Sequence, residues 1–130
     1  VTIELKSLYS TYRDKGVSFT GLFPNQTMST EETRRKFEKK YSIPFFLTFD
    51  KNQQMANKLA ATTTPQVFVL RNSDNKVLYK GKIDNSFVSI GKRKQVVDEH
   101  YLRDALENII QNKPANPAQT DPVGCYISRN

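Results

Sequence analysis

The stretch ATTTPQVFVL, residues 61–70, sets three threonines and a proline directly before a run of branched and aromatic apolar residues. Val67, Phe68, Val69 and Leu70 have the composition of a buried strand. Pro65 has no N–H to donate to a ladder, so it suits the entry of such a strand, and X-Pro is the bond at which a cis peptide costs little. The next run, KVLYKGKI at 76–83, follows RNSDN, whose Asn, Ser and Asp residues favour a tight reversal. An antiparallel hairpin is therefore expected.

Working outward, Ile3, Leu5, Leu8, Tyr9 and Tyr12 recur at the spacing of an amphipathic helix that Asp14-Lys15-Gly16 stops. VSFTGLF (17–23) reads as a buried strand. Ser29 and Glu32 have the form of a capping box, opening a helix with Phe37 and Tyr41 on one face that ends before Pro44. FFLTF (45–49) reads as a strand ended by Asp50, and Met55, Leu59 and Ala60 fit one face of a helix over 52–61. Beyond the hairpin, 85–97 reads as a long loop. Tyr101, Leu102, Ala105, Leu106, Ile109 and Ile110 mark a helix over 98–112, closed by Pro114. The last stretch, ANPAQTDPVGCYISRN, is proline-rich and aperiodic, a disordered tail or an extended arm laid over the domain.

Alternating helices and strands followed by a hairpin and a helix imply an α/β fold, a mixed sheet covered on both faces. Phe19, Phe23, Phe68 and Leu70 are the expected core. Tyr79, Gly81 and Asp84 are expected to serve the sheet and its exit turn, with Gly81 at a bulge or a close approach.

At 130 residues the chain fits one domain. No apolar run approaches the ~20 residues of a spanning helix, so no membrane insertion is expected. The net charge of +7 raises the question of a polyanion partner. However, Arg34, Arg35, Lys36, Lys39 and Lys40 share their helix with Glu31, Glu32 and Glu38, which reads as a solvated face, and no nucleic-acid partner is expected. Lys92-Arg93-Lys94, after Gly91, would steer an acidic partner or lie in solvent. The single cysteine, Cys125, excludes an internal disulfide and a multi-cysteine metal site within these residues. His100 reads as a solvated or helix-end histidine, and neither a metal nor a cofactor is expected.

The element order around Thr64-Pro65 is similar to the thioredoxin-like fold. TPQVFVL, NKVLYKGKID, GKRK, LRDAL and VGCYI resemble the redoxin branch of the AhpC/TSA (peroxiredoxin-related) superfamily of bacterial thioredoxin-like proteins. The resemblance implies a thioredoxin-like three-layer sandwich over 1–113, with residues 114–130 as a proline-rich C-terminal arm or tail. It implies that Pro65 is a cis-proline and that Thr64 and Pro65 bind substrate, Thr64 pairing with an extended peptide by strand addition. Active members carry a cysteine at the start of the first helix, where the helix N-terminus lowers the thiol pKa. Here Val1 falls within that helix, so the first strand, the active-site turn and the primary nucleophile are expected upstream of the sequence. Cys125 is the candidate resolving thiol. The implied activity of the complete form is thiol–disulfide exchange or peroxide reduction, with a protein dithiol, disulfide or peroxide as partner. The alternative is a non-catalytic thioredoxin-like protein-binding module. The family's exported members suggest a periplasmic or exported location, with a cytoplasmic one as the alternative.

Overall fold

Leu8 and Tyr12, four residues apart, form the buried stripe of helix α1 (Thr2–Tyr12). A 3-10 turn over Arg13–Lys15 and Gly16, at φ 82°, end it. The computed structural model describes residues 2–24, 31–89, 92–93 and 97–128, and the chain divides into two compact units.

The first unit holds residues 2–61 and the chain end from Ile127. Its strands β1 (Thr20–Phe23) and β2 (Phe46–Phe49) pair in parallel, Thr20 with Phe46 through Phe23 with Phe49. Parallel strands need a crossover, and helix α2 (Glu31–Tyr41) supplies it. Phe37 stands edge-on to Phe23 at 5.2 Å and contacts Tyr41 at 4.7 Å, so the four-residue aromatic spacing read from the sequence is the face that meets β1. Tyr9, Phe19 and Phe45 form a second aromatic cluster. Helix α2 ends as Ser42 takes φ 51° and the Ile43 N–H donates to the Glu38 carbonyl at 3.1 Å. The Ser29 half of the expected capping box lies outside the described residues.

After β2 the chain departs from the expected helix over 52–61. Asn52 and Gln53 both take positive φ, and the helix proper, α3, covers only Gln54–Lys58. The cause is Asp50, whose carboxylate accepts the Met55 and Ala56 N–H groups, each at 2.8 Å, and fixes where the helix begins. Gln53, Ala56 and Ala61 are buried here, while Ala60, expected on the apolar face, is exposed at φ 55°.

The second unit spans Thr62–Tyr126. Strands β4 (Val67–Leu70) and β5 (Val77–Gly81) form the expected antiparallel hairpin. Its turn is closed by the Arg71 N–H on the Lys76 carbonyl and by Arg71 paired with Asp74 at 2.6 Å. Helix α4 (Tyr101–Ile110) buries Leu102, Ala105 and Leu106, each leucine contributing about 2 kcal/mol on burial. Asn85 anchors the approach to α4, its Oδ1 accepting the N–H groups of Asp98 and Glu99.

Two expectations are corrected. The stretch 85–97, read as a loop, contains a short antiparallel pair, β6 (Phe87–Ser89) and β7 (Lys92–Arg93), with an irregular register that hides any periodicity. Phe19, Phe23, Phe68 and Leu70 are half-buried rather than core, and Leu22 and Phe46 are exposed. The reason lies in the ladders. The described strands form four two-stranded pairs, and a strand with one neighbour covers less of its side chains than one inside a wide sheet. The fold is a mixed α/β one, with parallel and antiparallel pairs and helices.

The proline-rich end is an extended arm. Ala115 is buried, the Lys80 N–H donates to the Ala118 carbonyl at 3.1 Å, and the Thr120 N–H donates to the Lys80 carbonyl at 3.0 Å. Its last strand, β8 (Cys125–Tyr126), pairs antiparallel with β3 (Thr63–Thr64).

Candidate functional site

The opening stretch and the end of the arm meet. Thr64 lies opposite Cys125 and Thr63 opposite Tyr126, which places the Thr64 and Cys125 side chains on one face of the ladder. The Thr64–Pro65 peptide bond is cis, and Pro65 is exposed. The loop is braced by the Gln66 side chain, whose Oε1 accepts the Thr62 N–H at 3.0 Å. Thr63 is buried, and its hydroxyl has no hydrogen-bond partner among the described residues.

Gly124 makes this meeting feasible. A Cβ there would collide with the Thr64 carbonyl and sit 3.1 Å from the Pro65 nitrogen, so only glycine lets the arm's backbone pass so close. Cys125 follows as a free and exposed cysteine.

A second contact holds the arm before it reaches β3. The Tyr79 hydroxyl donates to the Lys82 carbonyl at 2.6 Å and lies 2.8 Å from Thr120 Oγ1, which accepts the Lys82 N–H at 2.8 Å. Since the Tyr79 proton is committed to Lys82, the Thr120 hydroxyl donates to Tyr79. Tyr79 is fully buried, and this burial pushes its phenol pKa up. Gly81, at φ 138°, faces Thr120 so closely that a Cβ would strike it. The close approach expected at Gly81 is thus to the arm.

Of the residues singled out from the sequence, Thr64, Pro65 and Cys125 come together. His100 stands immediately before α4, its carbonyl accepting the Asp104 N–H. Lys92 and Arg93 lie in β7, and Lys94 lies outside the described residues. The basic residues of α2 are largely engaged with acidic neighbours. Arg34 binds Glu31 and Glu38, and Lys36 pairs with Glu32 at 3.1 Å. The Arg34 guanidinium holds the Glu31 carboxyl below its usual range. Among the described residues no cluster of three or more His, Cys, Asp or Glu side chains is placed to hold a metal ion, and no helix is long and apolar enough to cross a membrane.

Gly124 and Thr120 were not singled out as site residues. A glycine beside the cysteine in VGC was the available signal for the first. The second gives none, because a threonine in a proline-rich stretch looks like any other.

No family model and no curated protein matches the chain. Solved structures do. An uncharacterized conserved protein from Geobacillus kaustophilus is 27% identical, with a TM-score of 0.85 over 100% of this chain and 69% of its own. A hypothetical protein from Sinorhizobium meliloti 1021 is 22% identical, with a TM-score of 0.82 over 99% of this chain and 70% of its own. The chain therefore shares its mixed α/β fold with bacterial proteins whose descriptions assign no activity.

Proposed function

We propose that the chain is a thioredoxin-like redoxin domain whose complete form exchanges thiols and disulfides or reduces peroxides. The observation that carries this reading is the register of Cys125 opposite Thr64, which puts an exposed thiol beside the Thr64-Pro65 loop. In this reading the attacking thiolate comes from outside residues 1–130, because Cys125 is the sequence's single cysteine. The thiolate attacks one sulfur of a substrate disulfide, the S–S bond breaks, and the departing sulfur leaves as a thiolate. Cys125 then attacks the mixed disulfide, releasing the second substrate thiol and leaving an oxidised pair in the protein. With a peroxide, the thiolate attacks one oxygen, the O–O bond breaks and the other oxygen leaves as water or an alcohol after taking a proton; the resulting sulfenic acid condenses with the Cys125 thiol, forming the S–S bond and releasing water.

A non-catalytic protein-binding module is the second reading. It is supported by the two-residue β3–β8 ladder, in which β3 pairs with an extended segment of the same chain, the pairing mode that strand addition uses. The test is insulin-disulfide reduction and hydrogen peroxide consumption by protein purified from its source, with and without Cys125→Ser. Activity in the natural protein that falls about tenfold or more in the variant supports the redoxin reading. Absence of both activities favours the binding module.

A further inference from the structure

We propose that Thr120 and Gly124 form a two-point register code that holds Cys125 on the Thr64 face of the β3–β8 ladder, and that Tyr79, which reads the Thr120 hydroxyl, is a positioning residue for Cys125. The inference deepens the reading above by naming what aims its second thiol, and its redox consequence rests on that reading.

The ladder does not set its own register. It holds two residue pairs, and no side chain in residues 121–126 is buried, so neither pairing length nor apolar burial separates one alignment from the next. The choice matters, because a slip of one residue turns Cys125 to the face opposite the Thr64 side chain.

Two places along the arm do discriminate. Beside β5 the Thr120 N–H donates to the Lys80 carbonyl at 3.0 Å, while the Thr120 hydroxyl accepts the Lys82 N–H at 2.8 Å and gives its proton to Tyr79, 2.8 Å away. Beside β3 the backbone passes so close to the Thr64 carbonyl that no Cβ fits at position 124. Between Pro114 and Tyr126 the sequence has one β-hydroxyl, Thr120, and one glycine, Gly124. A slip of one residue would bring Gln119 or Asp121 to Lys82, and Val123 or Cys125 to the Thr64 carbonyl. The ionised Asp121 has no proton for Tyr79, the Gln119 amide stands further from the backbone, and either new Cβ collides. The interval from Thr120 to Gly124 therefore fits the one alignment that sets Cys125 opposite Thr64. Tyr79 completes the device. A phenylalanine would fill its buried site, and the hydroxyl is the part that engages Lys82 and the arm.

The test uses the full natural protein, reduced, with three variants checked for folding by circular dichroism. Thr120→Val keeps the shape and removes the hydroxyl, Thr120→Ser keeps the hydroxyl, and Tyr79→Phe removes its partner. The first readout is hydrogen exchange of a peptide spanning residues 121–126. Exchange about tenfold faster than wild type is expected in Thr120→Val and Tyr79→Phe, with Thr120→Ser close to wild type. Should Thr120→Val fail to fold, Tyr79→Phe carries the comparison. The second readout is the lifetime of the mixed disulfide between the attacking thiol and glutathione, formed from glutathione disulfide and followed by mass. Cys125 ends that species by displacing glutathione thiolate, so its lifetime should lengthen about tenfold in the same two variants and recover in Thr120→Ser. Unchanged exchange in both hydroxyl-deleted variants, or equal acceleration in Thr120→Ser, overturns the register code. Faster exchange with an unchanged lifetime overturns the positioning role of Tyr79. The expected exchange pattern with no mixed disulfide in any form leaves the register code standing and removes the redoxin reading.

Discussion

Thr64 and Cys125, 61 positions apart in a sequence numbered 1–130, are neighbours across an antiparallel ladder. One belongs to the strand entry that decides the fold, the other to a proline-rich end with no periodicity. What joins them is backbone: a glycine thin enough to pass the Thr64 carbonyl and an arm fixed at Thr120.

The exposure of Cys125 predicts ready reaction in the native state. After reduction, the folded chain of residues 1–130 should yield one thiol equivalent to Ellman's reagent at a rate close to that in denaturant, and Cys125→Ser should yield none. A native thiol blocked by more than about a hundredfold would show that the arm shields it.

Tyr79 tests the arm's anchor. Tyr79→Phe keeps the ring and removes the hydroxyl that donates to Lys82 and accepts from Thr120. A loss of about 1–3 kcal/mol in urea unfolding is expected, because buried partners are left unsatisfied. The raised phenol pKa adds a pH signature. Its contribution is fully present below the unfolded value near 10 and is lost as pH rises through the higher folded value. Stability should therefore fall in alkali less steeply in Tyr79→Phe than in wild type.

Two glycines with positive φ separate strain from crowding. Gly16, at φ 82°, has open space where a Cβ would go, whereas Gly81, at φ 138°, faces Thr120. Gly16→Ala should cost about 1 kcal/mol from backbone conformation alone, and Gly81→Ala clearly more, with the arm's amide exchange accelerated only in the second. Similar costs and unchanged arm exchange would argue that the arm is not held against β5.

Asp74 tests the hairpin turn. Its hydrogen bonds from Arg71, and then from the Lys76 N–H, hold its carboxyl down at about 2. Because the folded pKa is depressed, the stabilisation is present above the unfolded value near 4 and disappears as pH falls through about 2. Carboxyl NMR titration should place Asp74 well below exposed aspartates, and Arg71→Ala should return it towards 4. A titration near 4 in wild type would mean that Arg71 does not grip it in solution.

Where the sequence carried a period or a turn, the structure was legible. Phe37 and Tyr41 foretold the face of α2 that meets β1, and RNSDN foretold the β4–β5 reversal. Local chemistry was harder to weigh. Asp50 was read as a strand terminator, yet its carboxylate also sets the start of α3, which made the periodic window over 52–61 misleading. The site was half legible. Thr64, Pro65 and Cys125 were each visible as residues, but only the ladder brings the cysteine to the threonine. No periodicity encodes a two-residue pairing, and Thr120 becomes meaningful only once Gly81 is seen against it.

The most direct test of the central claim is intact mass of protein purified from its source without reductant, repeated after thiol reduction, with a peptide map locating Cys125. The account predicts that Cys125 is bonded to a cysteine outside residues 1–130 and that reduction adds about 2 Da. A mass unchanged by reduction, with Cys125 a free thiol after exposure to peroxide and to glutathione disulfide, would contradict it.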